Sequence, residues 1–441
     1  MAVTTRPSAS RSPAPGKAGQ GYVPALDGLR GIAVLLVLGL HIGLAVLPGG
    51  QVGVFLFFSL SGFLITLLLL DGSHGNVWEI LRRFYVRRAL RLLPAWFVVV
   101  ASCVVVALMW PSMDRAPATL EGLPMVLVHL GNWVRALEGS GSLGMLDHTW
   151  SLAVEEQFYL VWPIVLLLVL RATGRIWAAA AVAGLGCISA VAARFAVDGD
   201  GEAALTRIYN GTDTQADHLL LGCVLAVVVV LLRERDGLDR LRTVLTWLAV
   251  PAALFLAAVV LVFPFAGAGT PYRVALTGVA VASAVVVGAA YLSGQGRIAR
   301  VLTAPWLRWV GVRSYGLYLW HYPVILVVTA ADVVPFTLPK QVLEVALSVA
   351  MAAASYRWIE APFLRRREPL GGGSGAGPSG APPPPVAARR RHIATTSSAT
   401  QTGGGPWAGM QRDGSTDPAT PTGGAPTTRP PLPAGADALG R

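Results

Sequence analysis

Charge is what this sequence of 441 residues has least of. Asp, Glu, Lys and Arg make up 13% of it, hydrophobic residues make up 54%, and the mean hydropathy is +0.58. A soluble globular domain carries about 25% charged residues, so the balance excludes that class and leaves an integral membrane protein. Cysteine is nearly absent too. Cys103, Cys187 and Cys223 each stand in an apolar run with no C-x-x-C spacing, which leaves no sign of a disulfide framework. No G-x-x-x-x-G-K-[ST] loop, H-E-x-x-H, G-x-S-x-G or zinc-type Cys/His cluster occurs. These absences remove several standard enzyme classes, and neither a metal nor a bound cofactor is expected.

What is present is long apolar runs. A spanning helix needs about 20 mostly apolar residues, and ten candidates are found: 30–47, 52–71, 93–110, 151–171, 175–197, 215–233, 241–264, 272–293, 314–333 and 339–359. The segment 111–150 is mixed and reads as a surface helix or a re-entrant piece. The expected fold is therefore an all-α integral membrane protein of about ten transmembrane helices. The net charge of +11 follows the same plan. With the N-terminus inside, 29 of the 35 Lys and Arg fall on the cytoplasmic side, and only Arg115, Arg135, Arg194, Arg207, Arg273 and Lys340 fall outside. The short loops agree, with five arginines at 82–91, four at 233–242 and four at 297–313. That is the asymmetry of the positive-inside rule. Both termini are expected in the cytoplasm, and no nucleic-acid partner is expected.

Residues 1–21 are polar, and no small-residue cleavage site follows the first apolar run, so that run reads as a retained helix. From about residue 365 to 441 the chain turns Gly-, Pro-, Ser- and Thr-rich, with too little apolar content to bury a core. It is expected to be a disordered tail, with basic triplets at 365–367 and 389–391 able to touch anionic lipid headgroups. Residues 22–364 between these ends form the expected membrane domain.

Three constellations bear chemistry. Arg30 and His41 lie eleven residues apart in an otherwise apolar helix, a rise of about 16 Å that returns to within about 20° of the same direction. They share a face, with Arg30 at one membrane border and His41 near mid-membrane. His41 suits a general base toward a hydroxyl, or else a neutral histidine that ties two helices together. Arg87, Arg88 and Arg91, in FYVRRALRLLP, converge on one side of a helix and suit either a phosphorylated ligand or lipid headgroups. Glu155 and Glu156, in HTWSLAVEEQFYLVWP, lie inside an apolar run, where carboxylates are costly unless paired or functional. Their side chains diverge by about 100°, so only one is expected to face a cavity, where it would orient His41, bind a hydroxyl or pair with an arginine.

Smaller features follow. Ser61 and Gly62 in SLSGFLIT suit close helix packing, with ligand contact as the other reading of Ser61. His321 in SYGLYLWHYPV reads as a hydrogen-bonded packing residue more than a catalytic one. Asp213, Asp217 and His218 read as a wall of an outer cavity or a solvated acidic cap. Arg357 and Glu360 read as a local i,i+3 pair.

Taken in order, ALDGLRG with R-x10-H, FFSLSGFLIT, FYVRRALRLLP, TWSLAVEEQFYLVWP, SYGLYLWHYP and SYRWIEAPF resemble the membrane-bound acyltransferase 3 family over residues 22 to about 364. The resemblance implies an O-acyltransferase that takes an acyl group, expected to be acetyl, from cytoplasmic acyl-CoA to a hydroxyl of a glycan. Acyl-CoA would be a co-substrate, and membrane lipid and the glycan the other partners. Arg30 and His41 would be the essential pair, with His41 the base beside Glu155 and Glu156. Arg30, Arg87, Arg88 and Arg91 would hold acyl-CoA. Asp27, Ser61, Trp150, Ser151, Tyr159, Tyr318 and His321 would support the acceptor or the structure. Family members often carry Asp at Phe55 and Arg at Gln215, departures that bear on the acceptor. A macrolide or other small-molecule acceptor is one alternative and a proton-coupled transporter or flippase another, since buried His and Glu also serve as proton relays. No internal repeat or matched pair of broken helices supports transport.

Overall fold

The computed structural model describes residues 22–365 apart from 73–74, 234, 236, 263–268, 295, 333 and 335–336. The N-terminal segment 1–21 and the tail from 366 onward, both expected to be disordered, lie outside the described residues. Every regular element among the described residues is helical. Ten helices have 18 residues or more: α1 Pro24–His41, α2 Val52–Asp71, α3 Val77–Met109, α4 Trp150–Thr173, α5 Ile176–Ala196, α6 Thr212–Arg233, α7 Leu238–Val262, α8 Thr270–Leu292, α9 Ser314–Ala331 and α10 Thr337–Ser355. By length and composition, nine of them suit a membrane crossing. The tenth, α9, opens on SYGLYLWHYP, and Leu317 to His321 are buried inside the bundle.

Two boundaries differ from expectation, for physical reasons. Pro24 pre-sets the first turn of α1, and the helix ends at His41, where Gly43 takes φ +72° and the Pro48–Gly49–Gly50 run follows. Arg30 therefore sits within α1 and His41 on its last residue, not in mid-helix. In α3, the charged stretch 82–91 is fully helical. Asn76 caps it by accepting from the Trp78 N–H at 2.9 Å, and the 33 residues span about 50 Å. Charge limits how deep a helix sits in lipid, not where it starts, so the arginine-rich turns extend a spanning helix beyond a hydrocarbon layer of about 30 Å. The mixed segment 111–150 folds as short helices at Ala116–Glu121, Leu123–Leu127 and Gly131–Glu138, then a 3-10 helix at Gly144–Thr149. Several of its apolar side chains remain exposed, including Val128 and Leu137.

One buried apolar cluster runs through α1, α2, α4, α6 and α8, with Val34, Phe58, Val154, Val227 and Val279 among its members. Helices α2 and α6 approach closely enough to exclude any side chain at two facing positions. A Cβ on Gly62 would lie 1.8 Å from the Leu219 carbonyl oxygen, and one on Gly222 would lie 2.3 Å from that of Ser59. This is the small-residue packing expected of Gly62.

The two ends of the bundle differ in charge. At one end, Arg233 meets Asp71 at 3.9 Å, Arg171 donates to the Gly75 carbonyl and Arg308 donates to Tyr22. At the other, Gly49 N–H bonds Val260 O, Gln341 bonds Ile42 O and Asn132 bonds Asn210 O. All six cations assigned outward by the sequence lie at this second end or within its half, and each has a carboxylate within 4.0 Å. The pairs are Arg115–Asp114, Arg135–Asp147, Arg194–Asp217, Arg207–Asp213, Arg273–Asp200 and Lys340–Glu344.

The expected Arg357–Glu360 pair does not form. A π-helical turn at Tyr356–Glu360 follows α10 and rotates the 357 and 360 side chains apart. Glu360 is buried and accepts from Ser355 Oγ at 3.3 Å, while Arg357 is exposed.

Candidate active site

A cavity of about 290 Å³ opens among α1, α2, α3, α4 and α9. Its apolar walls come from residues such as Val54, Phe57, Leu64 and Leu152, and its polar groups sit in two tiers. Tyr22, Asp27, Arg30, Arg87, Arg88 and Arg91 occupy the arginine-rich end. There the Tyr22 hydroxyl donates to Asp27 and accepts from Arg308 at 3.0 Å. Burial first, and the Asp27 carboxylate second, hold the Tyr22 phenol above its ordinary range, so it stays protonated and donates. Arg30 Nε donates to Ser314 Oγ at 3.2 Å, which joins α1 to the start of α9.

The second tier carries Ser61, Ser151, Glu155, Tyr159 and Tyr318. Here Tyr159 donates to Ser61 Oγ, and Ser61 donates to Glu155 Oε1, both at 2.8 Å. The Arg88 guanidinium lies 3.6 Å above the Tyr159 ring, in cation–π geometry. Glu155 lines the cavity and Glu156 does not, as the divergence of neighbouring helical side chains requires. Ser61 is thus more than the packing residue its sequence suggests.

Above this tier lie three histidines, none of which lines the cavity. His41 Nδ1 is 3.3 Å from His321 Nε2, and the His148 and His321 ring centres are 5.5 Å apart. Tyr318 stands between the histidines and the cavity. Its hydroxyl donates to the His148 carbonyl at 2.7 Å and accepts from Ser151 Oγ at 2.6 Å. Trp150 is also off the cavity, packed against Tyr209 with Arg135 over its face.

Several expectations are revised by these positions. Neither Glu155 nor Glu156 hydrogen-bonds His41 among the described residues; the ring instead meets His321 and the Val37 carbonyl. Asp217 and His218 form no cavity wall or solvated cap. Both are fully buried, and Asp217 is held by Arg194 at 2.6 Å. Phe55 stacks on His218 at 4.3 Å, and Gln215 donates to Ile208 O, so these two departures from the family pattern sit in packed interior. His148, Tyr22, Ser314 and Arg308 were not singled out in the sequence. His148 heads the HTWSLAVEEQFYLVWP stretch, but only the 3-10 turn before α4 brings it inward.

A family model described as an acyltransferase domain matches residues 23–356. The chain belongs to the acyltransferase 3 family. Among the curated relatives this chain resembles is the peptidoglycan O-acetyltransferase OatA of Listeria monocytogenes, 36% identical over 366 residues, covering 77% of this chain and 56% of the relative. The putative peptidoglycan O-acetyltransferase YrhL of Bacillus subtilis is 35% identical over 357 residues, covering 77% and 55%. A putative O-acetyltransferase of Staphylococcus aureus strain COL is 31% identical over 362 residues, covering 78% and 57%. The chain thus spans little more than half the length of these relatives. No solved structure matches it significantly. The matched region contains every cavity residue named above except Tyr22.

Proposed function

We propose that this acyltransferase moves an acetyl group from cytoplasmic acetyl-CoA to a hydroxyl of an envelope glycan, and that its termini lie in the cytoplasm. The observation that carries the proposal is the two-tier cavity. Arg30, Arg87, Arg88 and Arg91 surround its basic end, while the Tyr159–Ser61–Glu155 chain and the Ser151–Tyr318 bond form its inner end beneath His41. Guanidinium groups bind phosphates through forked, charge-assisted hydrogen bonds, which suits the phosphates of coenzyme A. The carboxylate partners of all six outward cations, set against the arginine-rich opposite end, support the orientation. The names of the relatives favour a glycan over a macrolide acceptor.

In this reading the thioester lies along the cavity, and the Ser151–Tyr318 bond opens to admit the acyl carbon to His41. The acceptor reaches His41 from the opposite end of the bundle. His41 takes the hydroxyl proton, and the oxygen attacks the thioester carbonyl. The C–S bond breaks, and the proton passes to the departing thiolate.

Inverted membrane vesicles supplied with radiolabelled acetyl-CoA test this. Label is expected on glycan with wild-type protein, with a donor KM raised in Arg88→Gln and transfer lost in His41→Gln. Normal transfer by correctly inserted His41→Gln protein overturns the base assignment. Transfer from acetyl phosphate but not from acetyl-CoA overturns the donor.

A further inference from the structure

We propose that His321 is a positioning residue that fixes the tautomer of His41 and stabilises its imidazolium, the part a carboxylate plays in a Ser–His–Asp triad. The inference rests on the reading of His41 as the base.

The argument follows from donors and acceptors, which assign the ring protons. His321 is 1% exposed, and its Nδ1 lies 3.1 Å from the Leu317 carbonyl oxygen and 2.6 Å from that of Tyr318. Carbonyl oxygens only accept, so Nδ1 carries the proton and, in the neutral ring, Nε2 presents a lone pair. That lone pair faces His41 Nδ1 at 3.3 Å. His41 Nδ1 also lies 2.9 Å from the Val37 carbonyl oxygen, so it too must carry a proton, shared between Val37 O and His321 Nε2. The unprotonated nitrogen of His41 is therefore Nε2, the form a base requires. When Nε2 takes the acceptor's proton, the new positive charge spreads to Nδ1–H and strengthens its bond to the His321 lone pair. The two backbone carbonyls that accept from His321 Nδ1–H polarise its ring and make Nε2 the stronger acceptor. His321 itself makes and breaks no covalent bond.

The surroundings give no competing partner. Among the described residues, His321 is the one side chain hydrogen-bonded to His41. The charged and titratable groups facing the pair include His148 and Tyr318, each with its ring 5.5 Å from His321, Tyr322, with its ring 5.2 Å from His41, and Arg135, which is held 3.4 Å from Asp147. His148 does not fill this role in the structure: its Nε2 donates to the Leu319 carbonyl at 3.1 Å, and its buried Nδ1 bonds no group among the described residues, His41 included. A carboxylate in place of His321 would be buried against two carbonyl oxygens; a neutral imidazole satisfies both and still offers an acceptor.

The test uses full-length protein in vesicles, with acetyl-CoA as donor and purified peptidoglycan strands as acceptor. Binding of acetyl-CoA is measured first for each variant, as a check on folding. His321→Ala is expected to lower kcat roughly 100-fold with the donor KM unchanged. His321→Gln, whose Oε1 can accept from His41 Nδ1, is expected to recover about ten-fold or more of that loss. Wild-type kcat in His321→Ala overturns the inference. So does a donor-binding His321→Gln that is as inactive as His41→Ala, and this variant decides alone if His321→Ala does not fold. His41→Ala separates the two readings. If it transfers normally, the base assignment falls; if it is inactive while His321→Ala is normal, the base stands and only the role of His321 falls.

Discussion

Replacing Gly62 by alanine tests how far the site depends on one helix contact. The added Cβ would lie 1.8, 2.8 and 3.2 Å from the carbonyl oxygen, carbonyl carbon and Cα of Leu219, all backbone atoms that no rotamer change can move. Ordinary contact needs about 3.5 Å, so α2 and α6 must part by about 1.7 Å. Gly222 on the facing helix has the reciprocal contact with Ser59 O at 2.3 Å, so the separation cannot be absorbed on one side. Overpacking of this kind costs about 1–3 kcal/mol, offset by at most about 1 kcal/mol of helix propensity. The adjacent Ser61 carries the bonds to Glu155 and Tyr159, and misplacement by about 1 Å costs on the order of 100-fold in rate. Gly184 is the control, because a Cβ there meets nothing within 4 Å inside α5; Gly184→Ala is expected to be neutral or stabilising by up to about 1 kcal/mol. Thermal unfolding in detergent and acetyl transfer in vesicles measure both effects. Wild-type midpoint and rate in Gly62→Ala would refute the claim that this contact sets the position of Ser61.

Two further outcomes are expected. Glu155→Gln should lower transfer by about 10-fold or more, the value of a hydrogen bond to a charged group, whereas Glu156→Gln, off the cavity, should stay within about 3-fold; equal effects in the transfer assay would contradict the assignment of the two faces. Arg194→Met and Asp217→Asn should each destabilise the protein by about 3–5 kcal/mol by leaving a buried charge alone, and Arg194→Met combined with Asp217→Leu by clearly less than their sum, as read from unfolding midpoints.

Much of the basic end of the cavity is legible in the sequence. Arg87, Arg88 and Arg91 recur at helical spacing, and a helix of known pitch necessarily gathers them, which is why all three line the cavity. Glu155 was separable from Glu156 in principle, though not which of the two would face inward. The end of α1 was misjudged because Leu44, Val46 and Leu47 kept the hydropathy high after Gly43 had turned the backbone. The burial of Asp217 is not legible in the sequence, because its partner Arg194 lies 23 residues away on another helix, and only the packing of α5 against α6 brings the two together.

Sequence alone determined the class of molecule: apolar runs of spanning length, a lopsided distribution of arginine, and ordered motifs that mark the acyltransferase 3 family. Those properties are local or compositional, so reading along the chain recovers them. Only the tertiary structure decided which groups meet. The His41–His321 contact joins residues 280 apart and the Arg30–Ser314 bond residues 284 apart. Partners at that separation are chosen by helix packing, such as the glycine contact of α2 on α6, and no pattern within α1 encodes them.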